Sequence, residues 1–190
     1  YNRAPQISLT ATKADIAGFD FDLISNYNNF QNPQVTLPNG QRWMANPSLA
    51  FPMTNAYGYI TPKVGVNYRN YSIDNKTIIP DYSQSITTPM VSVDSGMTFE
   101  RDTSVFGNSV TQTIEPRLYY TWIPYRDQRL IPNFESTTQD LSFATLFTEN
   151  QFSGYDRIND LHAITWGVST RLIESDSGAE RISALINLWG

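Results

Sequence analysis

The chain contains no cysteine, which excludes disulfide bonds, thiol catalysis and thiolate metal sites. Charged residues are also scarce, because Lys, Arg, Asp and Glu make up 16% of the 190 residues, against roughly 25% in soluble domains. Aromatic residues, by contrast, reach 13%. This composition favours strands with aromatic side chains on one face and uncharged polar side chains on the other.

Long apolar runs are missing as well. No stretch approaches the roughly 18 residues that a transmembrane helix requires, so only strands closed into a barrel could carry this chain across a bilayer. The net charge is −5 and no basic block accompanies it. We therefore expect no nucleic-acid partner.

The residue patterns of enzymes are absent. His162 is the single histidine, and one histidine cannot build a metal site without several well-placed partners. Asp20 with Asp22, and Glu115 near Arg117, could suggest paired carboxylate chemistry, but a water-filled lumen accounts for such charges more simply. We expect no cofactor, no metal and no enzymatic activity.

Apolar and polar residues alternate with a period of two in segments of about ten residues, as in tilted strands that cross a bilayer. One face of these segments is predicted to meet lipid and carries Val64, Val66, Val91, Val93, Leu118, Tyr120, Trp122, Ile164, Trp166 and Val168. The other face is predicted to line the lumen and carries Lys63, Asn67, Arg69, Asp94, Glu115, Arg117 and Arg171. Trp122 ends an apolar face where an interfacial aromatic residue belongs.

The alternation predicts about eight strands. They lie near residues 3–12, 17–29, 43–52, 58–72, 88–101, 110–123, 161–173 and 181–190. Pro62 and Pro116 fall inside two of them, and since proline cannot donate to a ladder, each should lie at a strand start, a bulge or an unpaired position. One or two helical turns are predicted at Phe143, Leu146 and Phe147, after Asp140.

The connections alternate in length. Short turns are predicted near Lys13–Ile16, Met53–Tyr57, Asp102–Ser109 and Glu174–Glu180, and long loops near Phe30–Arg42, Ile73–Thr87 and Pro124–Asp160. Outer-membrane barrels alternate short periplasmic turns with long external loops in this way. The predicted fold is all-β: an antiparallel transmembrane β-barrel segment of about eight strands, with residues 1–190 forming part of a single barrel domain.

Several runs of sequence are long and ordered enough to be compared with known families. They are Phe99-Glu100-Arg101-Asp102, Thr111-Gln112-Thr113-Ile114-Glu115-Pro116-Arg117-Leu118-Tyr119-Tyr120, Ile123-Pro124-Tyr125-Arg126-Asp127-Gln128, Leu146-Phe147, Phe152-Ser153-Gly154-Tyr155-Asp156-Arg157-Ile158 and Gly167-Val168-Ser169-Thr170-Arg171. In order and spacing they resemble the LptD family of lipopolysaccharide-assembly proteins. The detailed similarity covers roughly residues 88–185.

The resemblance implies a large barrel in the outer membrane of a Gram-negative bacterium. In that family the barrel inserts lipopolysaccharide into the outer leaflet and is plugged by the lipoprotein LptE. A separate N-terminal domain receives lipopolysaccharide from a periplasmic Lpt bridge. We expect this chain to supply part of the middle wall, with the N-terminal domain and the remaining strands outside it, and to contact outer-membrane lipids.

The longest loop is the most functional-looking segment, since long ordered loops usually serve a purpose. By the same resemblance, Tyr125, Arg126, Asp127 and Gln128 are expected to fold toward the lumen and to hold the plug or cap the pore. An equally open alternative is that they brace neighbouring loops. Two other functions also stay open here: a porin-like channel, and a β-sandwich that binds carbohydrate.

Overall fold

The computed structural model of the chain describes residues 1–33, 37–74, 81–105, 107–140, 142–174 and 180–189. Within these ranges the chain is almost entirely β, and its single helix has one turn. The elements are β1 (Asn2–Ile16), β2 (Phe19–Gln31), β3 (Asn39–Ala50), β4 (Met53–Asn55), β5 (Gly58–Asp74), β6 (Tyr82–Met97), β7 (Phe99–Val105), β8 (Asn108–Ile123), β9 (Thr137–Thr138), α1 (Phe143–Leu146), β10 (Phe152–Ser153), β11 (Leu161–Glu174) and β12 (Glu180–Trp189).

Ten of the strands form one antiparallel sheet. Its order is β1-β2-β3-β5-β6-β8-β11-β12, with β4 added beside β5 and β7 beside β8. Strands β9 and β10 form a separate small pair. Among the described residues no pairing joins β1 to β12, so the sheet is open. The predicted all-β antiparallel class is confirmed.

Pro62 and Pro116 each lie opposite an interruption in a neighbouring strand. Pro62 falls where β3 has ended at Ala50 and β4 has not yet begun, so its missing N–H removes no ladder bond. Pro116 lies between the last pair of β6 with β8, Gly96 with Arg117, and the first pair of β7 with β8. Each proline therefore lies beside a gap in the pairing on one side, where proline is tolerated. On the other side Pro62 is paired with Val93 of β6 and Pro116 with Val168 of β11.

Several predicted boundaries are wrong. The turn expected at Lys13–Ile16 lies inside β1, and the chain instead reverses at Ala17 and Gly18, where φ is 55° and 87°. The Asp20 carboxylate accepts a hydrogen bond from the Asp15 backbone N–H, so this short polar segment stays paired through a bulge. Composition marks such a segment as a turn, whereas its hydrogen bonds keep it in the strand.

Other turns and loops are shorter than predicted because the strands continue into polar sequence. Most of Met53–Tyr57 and Asp102–Ser109 belongs to β4, β7 and β8. β3 begins at Asn39, inside the loop predicted at Phe30–Arg42, and β6 begins at Tyr82, inside the loop predicted at Ile73–Thr87. Parts of five predicted connections, at residues 34–36, 75–80, 106, 141 and 175–179, lie outside the described residues.

The loop of residues 124–160 folds back against one face of the sheet. It contains β9, β10 and α1, which begins at the residue predicted for a helical turn. We call the sheet face that it contacts the covered face and the opposite one the open face. In the described part of the chain, no helix has the length and apolar character needed to cross a lipid bilayer.

Candidate functional site

The sheet separates the two predicted sets of residues completely. Cross-strand partners share a face of a sheet, and the pairs Val64 with Val91 and Val91 with Trp122 lie in one row of the open face. The other residues predicted to meet lipid lie on the same face: Val66, Val93, Leu118, Tyr120, Ile164, Trp166 and Val168. The residues predicted to line a lumen all lie on the covered face: Lys63, Asn67, Arg69, Asp94, Glu115, Arg117 and Arg171.

The open face is apolar and unusually accessible. Val64 is 53% exposed and Ile164 is 52% exposed, although both lie within long strands. Isolated exposed apolar residues are common, but a contiguous apolar surface of this kind marks a face that contacts another apolar phase or partner.

The covered face is held to the loop by Asp156. Its carboxylate accepts hydrogen bonds from Arg42 Nη1 at 2.7 Å and from the Tyr71 hydroxyl at 3.1 Å. The other carboxylate oxygen accepts the backbone N–H groups of Phe134 and Glu135 at 2.9 and 2.7 Å. Asp156 is fully buried, so these donors compensate for the loss of hydration.

Two further contacts surround this carboxylate. Arg69 Nη1 donates to the Asp156 carbonyl oxygen at 2.6 Å and, at 3.3 Å, to Gln128 Oε1. The Gln128 amide in turn donates to the Ile158 carbonyl oxygen at 2.6 Å. The Arg69 guanidinium of β5 therefore binds both ends of the loop. Arg42 of β3 forms a second ion pair, with Glu135.

An apolar cluster lies beside these charges. The Phe134 and Phe30 rings stack with centroids 4.3 Å apart and an interplanar angle of 9°. Ile73, Ile86 and Ile131 complete the buried cluster together with Tyr71. Burial of side chains of this size gives about 1.5–3 kcal/mol each, so the loop is stabilised by apolar packing as well as by its ion pairs.

The middle of the loop reaches further along the sheet. Phe147, just after α1, contacts Tyr119 and lies under the Arg117 guanidinium, 4.4 Å from the ring centroid. Glu149 accepts hydrogen bonds from Lys63 Nζ at 3.1 Å and from the Ser92 hydroxyl at 2.7 Å. We call residues 142–150 the loop tip.

The remaining charged residues that were predicted to line the lumen form ion pairs across neighbouring strands. Arg117 donates to both carboxylate oxygens of Asp94, at 2.9 and 2.7 Å. Arg171 forms an ion pair with Glu115 across β8 and β11. The covered face thus carries a row of neutralised charges. Among the described residues there is no group of three or more His, Asp or Glu side chains that could hold a metal ion.

The four loop residues expected to face the lumen do not stay together. Gln128 is half-buried between the loop and Arg69, whereas Tyr125 is 65% exposed. Arg126 donates to the Thr87 carbonyl oxygen of β6. Asp127 lies at the surface, where hydrogen bonds from the Arg129 guanidinium lower the pKa of its carboxyl to about 2.

Sequence reasoning missed the residues that hold the loop most tightly. Arg42 escaped because the third strand was predicted to begin one residue after it, although Gly40, Arg42 and Met44 continue the alternation. Asp156 lies in one of the recognised runs but was given no role. Tyr71 and Glu149 carry no local signal, since their partners are distant in the chain.

Comparison with known proteins gives consistent matches along nearly the whole chain. The LptD family, described as LPS transport system D, matches residues 1–187. Proteins called LPS-assembly protein LptD are 44% identical over 184 residues in Nitrosospira multiformis and 47% identical over 181 residues in Nitrosomonas eutropha. The one from Azoarcus sp. is 46% identical over 190 residues.

The alignments cover 96%, 94% and 98% of this chain but only 20%, 25% and 23% of those three relatives. The chain therefore spans about a fifth to a quarter of the length of the relatives that it matches. The family assignment extends the similarity noted in the sequence runs to the residues before them. The chain belongs to the LptD family, LPS transport system D.

Proposed function

We propose that this sheet is part of the wall of an outer-membrane β-barrel that transports lipopolysaccharide to the cell surface. One observation carries the proposal: an apolar open face lies back to back with a polar covered face filled by a long loop. A barrel wall in a membrane needs these two surfaces, because its outside meets lipid and its inside meets water.

Each surface has its own part in transport. The open face, with Val64, Leu118 and Trp166, contacts the hydrocarbon of the bilayer. The covered face, with Lys63, Arg69 and Asp94, lines the lumen, where sugars and phosphates of lipopolysaccharide can be hydrated. No bond is made or broken in this process, so the role is transport and not enzymatic catalysis.

The described strands do not close into a barrel. An open sheet in lipid leaves unpaired backbone groups at both edges, and we propose that strands elsewhere in the full-length protein pair with β1 and β12. We further propose two partners for the full-length protein: the lipoprotein LptE as the plug, and the periplasmic Lpt bridge acting through an N-terminal domain. Tyr125 and Arg126, on the exposed rim of the loop, are suited to contact such a plug, whereas Asp127 is paired with Arg129.

The family assignment favours this function over the two alternatives. A carbohydrate-binding β-sandwich would pack two large sheets against each other, whereas ten of the described strands form one sheet whose apolar face is uncovered. A porin-like channel shares the wall but would pass small solutes. Lipopolysaccharide is the cargo named by the family and by its relatives.

Depletion of the full-length protein in its bacterium tests this function. Lipopolysaccharide on intact cells is measured with an antibody and compared with total cellular lipopolysaccharide. We expect the surface fraction to fall while uptake of small solutes is unchanged in the first generations. Normal surface lipopolysaccharide would refute the proposal, and a selective loss of solute uptake would favour a porin.

A further inference from the structure

Glu149 lies where three cavities of the covered face meet. One cavity of about 380 Å³ is lined by Thr61, Lys63, Ser92, Asp94, Tyr119, Phe147, Thr148 and Glu149. Two others, of about 220 and 280 Å³, also have Glu149 in their walls. The Glu149 side chain therefore forms a wall shared by three cavities of the covered face, and we call it the partition.

The contacts of Glu149 can exchange with a ligand, whereas those of Asp156 cannot. Lys63 and Glu149 side chains are 33% and 22% exposed, while both members of the Arg42–Asp156 pair are fully buried. Water that reaches an ion pair screens it and keeps its free energy small. Breaking a buried pair instead leaves an uncompensated charge, which is strongly unfavourable.

The groups around Lys63 match the needs of an oxyanion. The ammonium of Lys63 and the hydroxyls of Ser92, Thr61 and Tyr119 line the same cavity, and all of them can donate hydrogen bonds. Asp94, the other carboxylate in this cavity, accepts hydrogen bonds from Nε and Nη2 of Arg117. Its charge is therefore balanced, and it adds little to the net charge of the cavity. The Glu149 carboxylate already occupies this position as an oxyanion would.

We propose that Lys63 and Ser92, with Tyr119 and Thr61 beside them, form a binding site for a phosphate group, and that Glu149 occupies this site when no ligand is present. An arriving phosphate displaces Glu149, and the loop tip leaves the covered face with it. The Asp156 contacts keep the rest of the loop in place. Removal of the partition joins the three cavities.

The site does not depend on lipopolysaccharide transport, so its test can fail without affecting the proposed function. Binding of inorganic phosphate to the full-length protein in detergent is measured by calorimetry for the wild type and for Glu149→Gln. We expect the variant to bind up to roughly fivefold more tightly, as follows from removal of one partly exposed competing ion pair. Asp127→Asn, which changes the net charge equally on the rim of the loop, should bind like the wild type.

Adding Lys63→Met to Glu149→Gln should abolish binding. A second titration with dihexanoyl phosphatidic acid distinguishes the source of the group, because binding of this lipid alone would indicate a lipid headgroup and binding of inorganic phosphate a free anion. The site would be overturned if neither inorganic phosphate nor dihexanoyl phosphatidic acid bound to Glu149→Gln. Equal affinities of Glu149→Gln and Asp127→Asn would overturn it as well.

Displacement of the loop tip is measured separately in a protein with native Glu149. Spin labels at Thr148, in the tip, and at Tyr57, in the turn between β4 and β5, report one distance by pulsed electron paramagnetic resonance. A saturating concentration of whichever phosphate compound binds should lengthen and broaden this distance. An unchanged distance at saturation would contradict the displacement of Glu149.

Discussion

Arg42 and Asp156 form a fully buried ion pair of 2.7 Å although 114 residues separate them in the chain. This contact joins the third strand of the sheet to the end of the longest loop. Because Asp156 also accepts two backbone N–H groups of the loop, one carboxylate orders both the loop itself and its attachment to the sheet. The part of the loop around Asp156 is therefore firmly attached to the covered face.

Asp156→Asn should release the loop. The substitution removes one of the two carboxylates that pair with the buried Arg42 guanidinium and leaves Glu135. The cost is therefore less than the roughly 3–5 kcal/mol of a buried charge with no partner. Limited proteolysis of the full-length protein in detergent measures the effect, and we expect cleavage within residues 124–160 to become faster by at least tenfold while the strands stay resistant.

Asp127→Asn is the matched control, since it removes a carboxylate of the same loop whose pair with Arg129 is exposed to water. Exposed pairs contribute little, so its cleavage rate should equal that of the wild type. Equal resistance of Asp156→Asn and Asp127→Asn would show that the buried pair does not hold the loop.

Gly154→Ala should disturb the same loop through its backbone. Gly154 has a φ of +70°, and an added Cβ would lie 2.8 Å from the Glu135 carbonyl oxygen. The left-handed conformation alone costs a non-glycine residue roughly 1–2 kcal/mol, and the collision adds to it. Proteolysis of the loop should again accelerate.

Gly107→Ala separates the cost of the left-handed backbone conformation from the cost of the collision. Gly107 has a φ of +82°, but an added Cβ would meet no atom within 4 Å. It lies in the β7–β8 connection, so this variant should lower the thermal midpoint slightly and leave loop cleavage unchanged. If Gly154→Ala had no larger effect than Gly107→Ala, the contact between Gly154 and Glu135 would be unimportant.

Val64→Arg should impair insertion of the protein into the membrane. Val64 lies in the central part of β5 on the open face, and an arginine on the lipid face of a barrel costs about 2–4 kcal/mol near the midplane. The fraction of the full-length protein that migrates as folded barrel on unheated gels should fall several-fold.

Thr61→Arg places the same charge on the covered face of the same strand, beside a cavity of about 380 Å³. Its folded fraction should stay near that of the wild type. A larger defect for Thr61→Arg than for Val64→Arg would mean that the covered face, and not the open face, meets lipid.

The alternation of residues predicted the strands and their faces because it depends only on the period-two geometry of a strand. Val64 and Lys63 fall on opposite faces whatever the rest of the protein does. Turn positions were predicted less well, since polar segments such as Lys13–Ile16 can continue a strand when hydrogen bonds are available.

The contacts of the loop could not be predicted from sequence. Asp156 and Arg42 meet only because the neighbouring strands β3, β5, β6 and β8 and the loop bring them together, and no local pattern encodes that distance. The exposed rim residue Tyr125 and the half-buried Gln128 are neighbours in one recognised run, yet the structure gives them different surroundings. A sequence run locates a segment but does not decide which of its side chains are buried.

Accessibility along β11 tests most directly whether the open face is the membrane face. Single spin labels are placed in the full-length protein in lipid bilayers at Ile164, Thr165, Trp166, Val168 and Ser169, and their relaxation by oxygen and by a water-soluble nickel complex is compared. We predict high oxygen accessibility at Ile164, Trp166 and Val168 and low oxygen accessibility at Thr165 and Ser169, because lipid dissolves oxygen and excludes the nickel complex. Strong relaxation by the nickel complex at Ile164, Trp166 and Val168 would contradict the barrel wall and the function that rests on it.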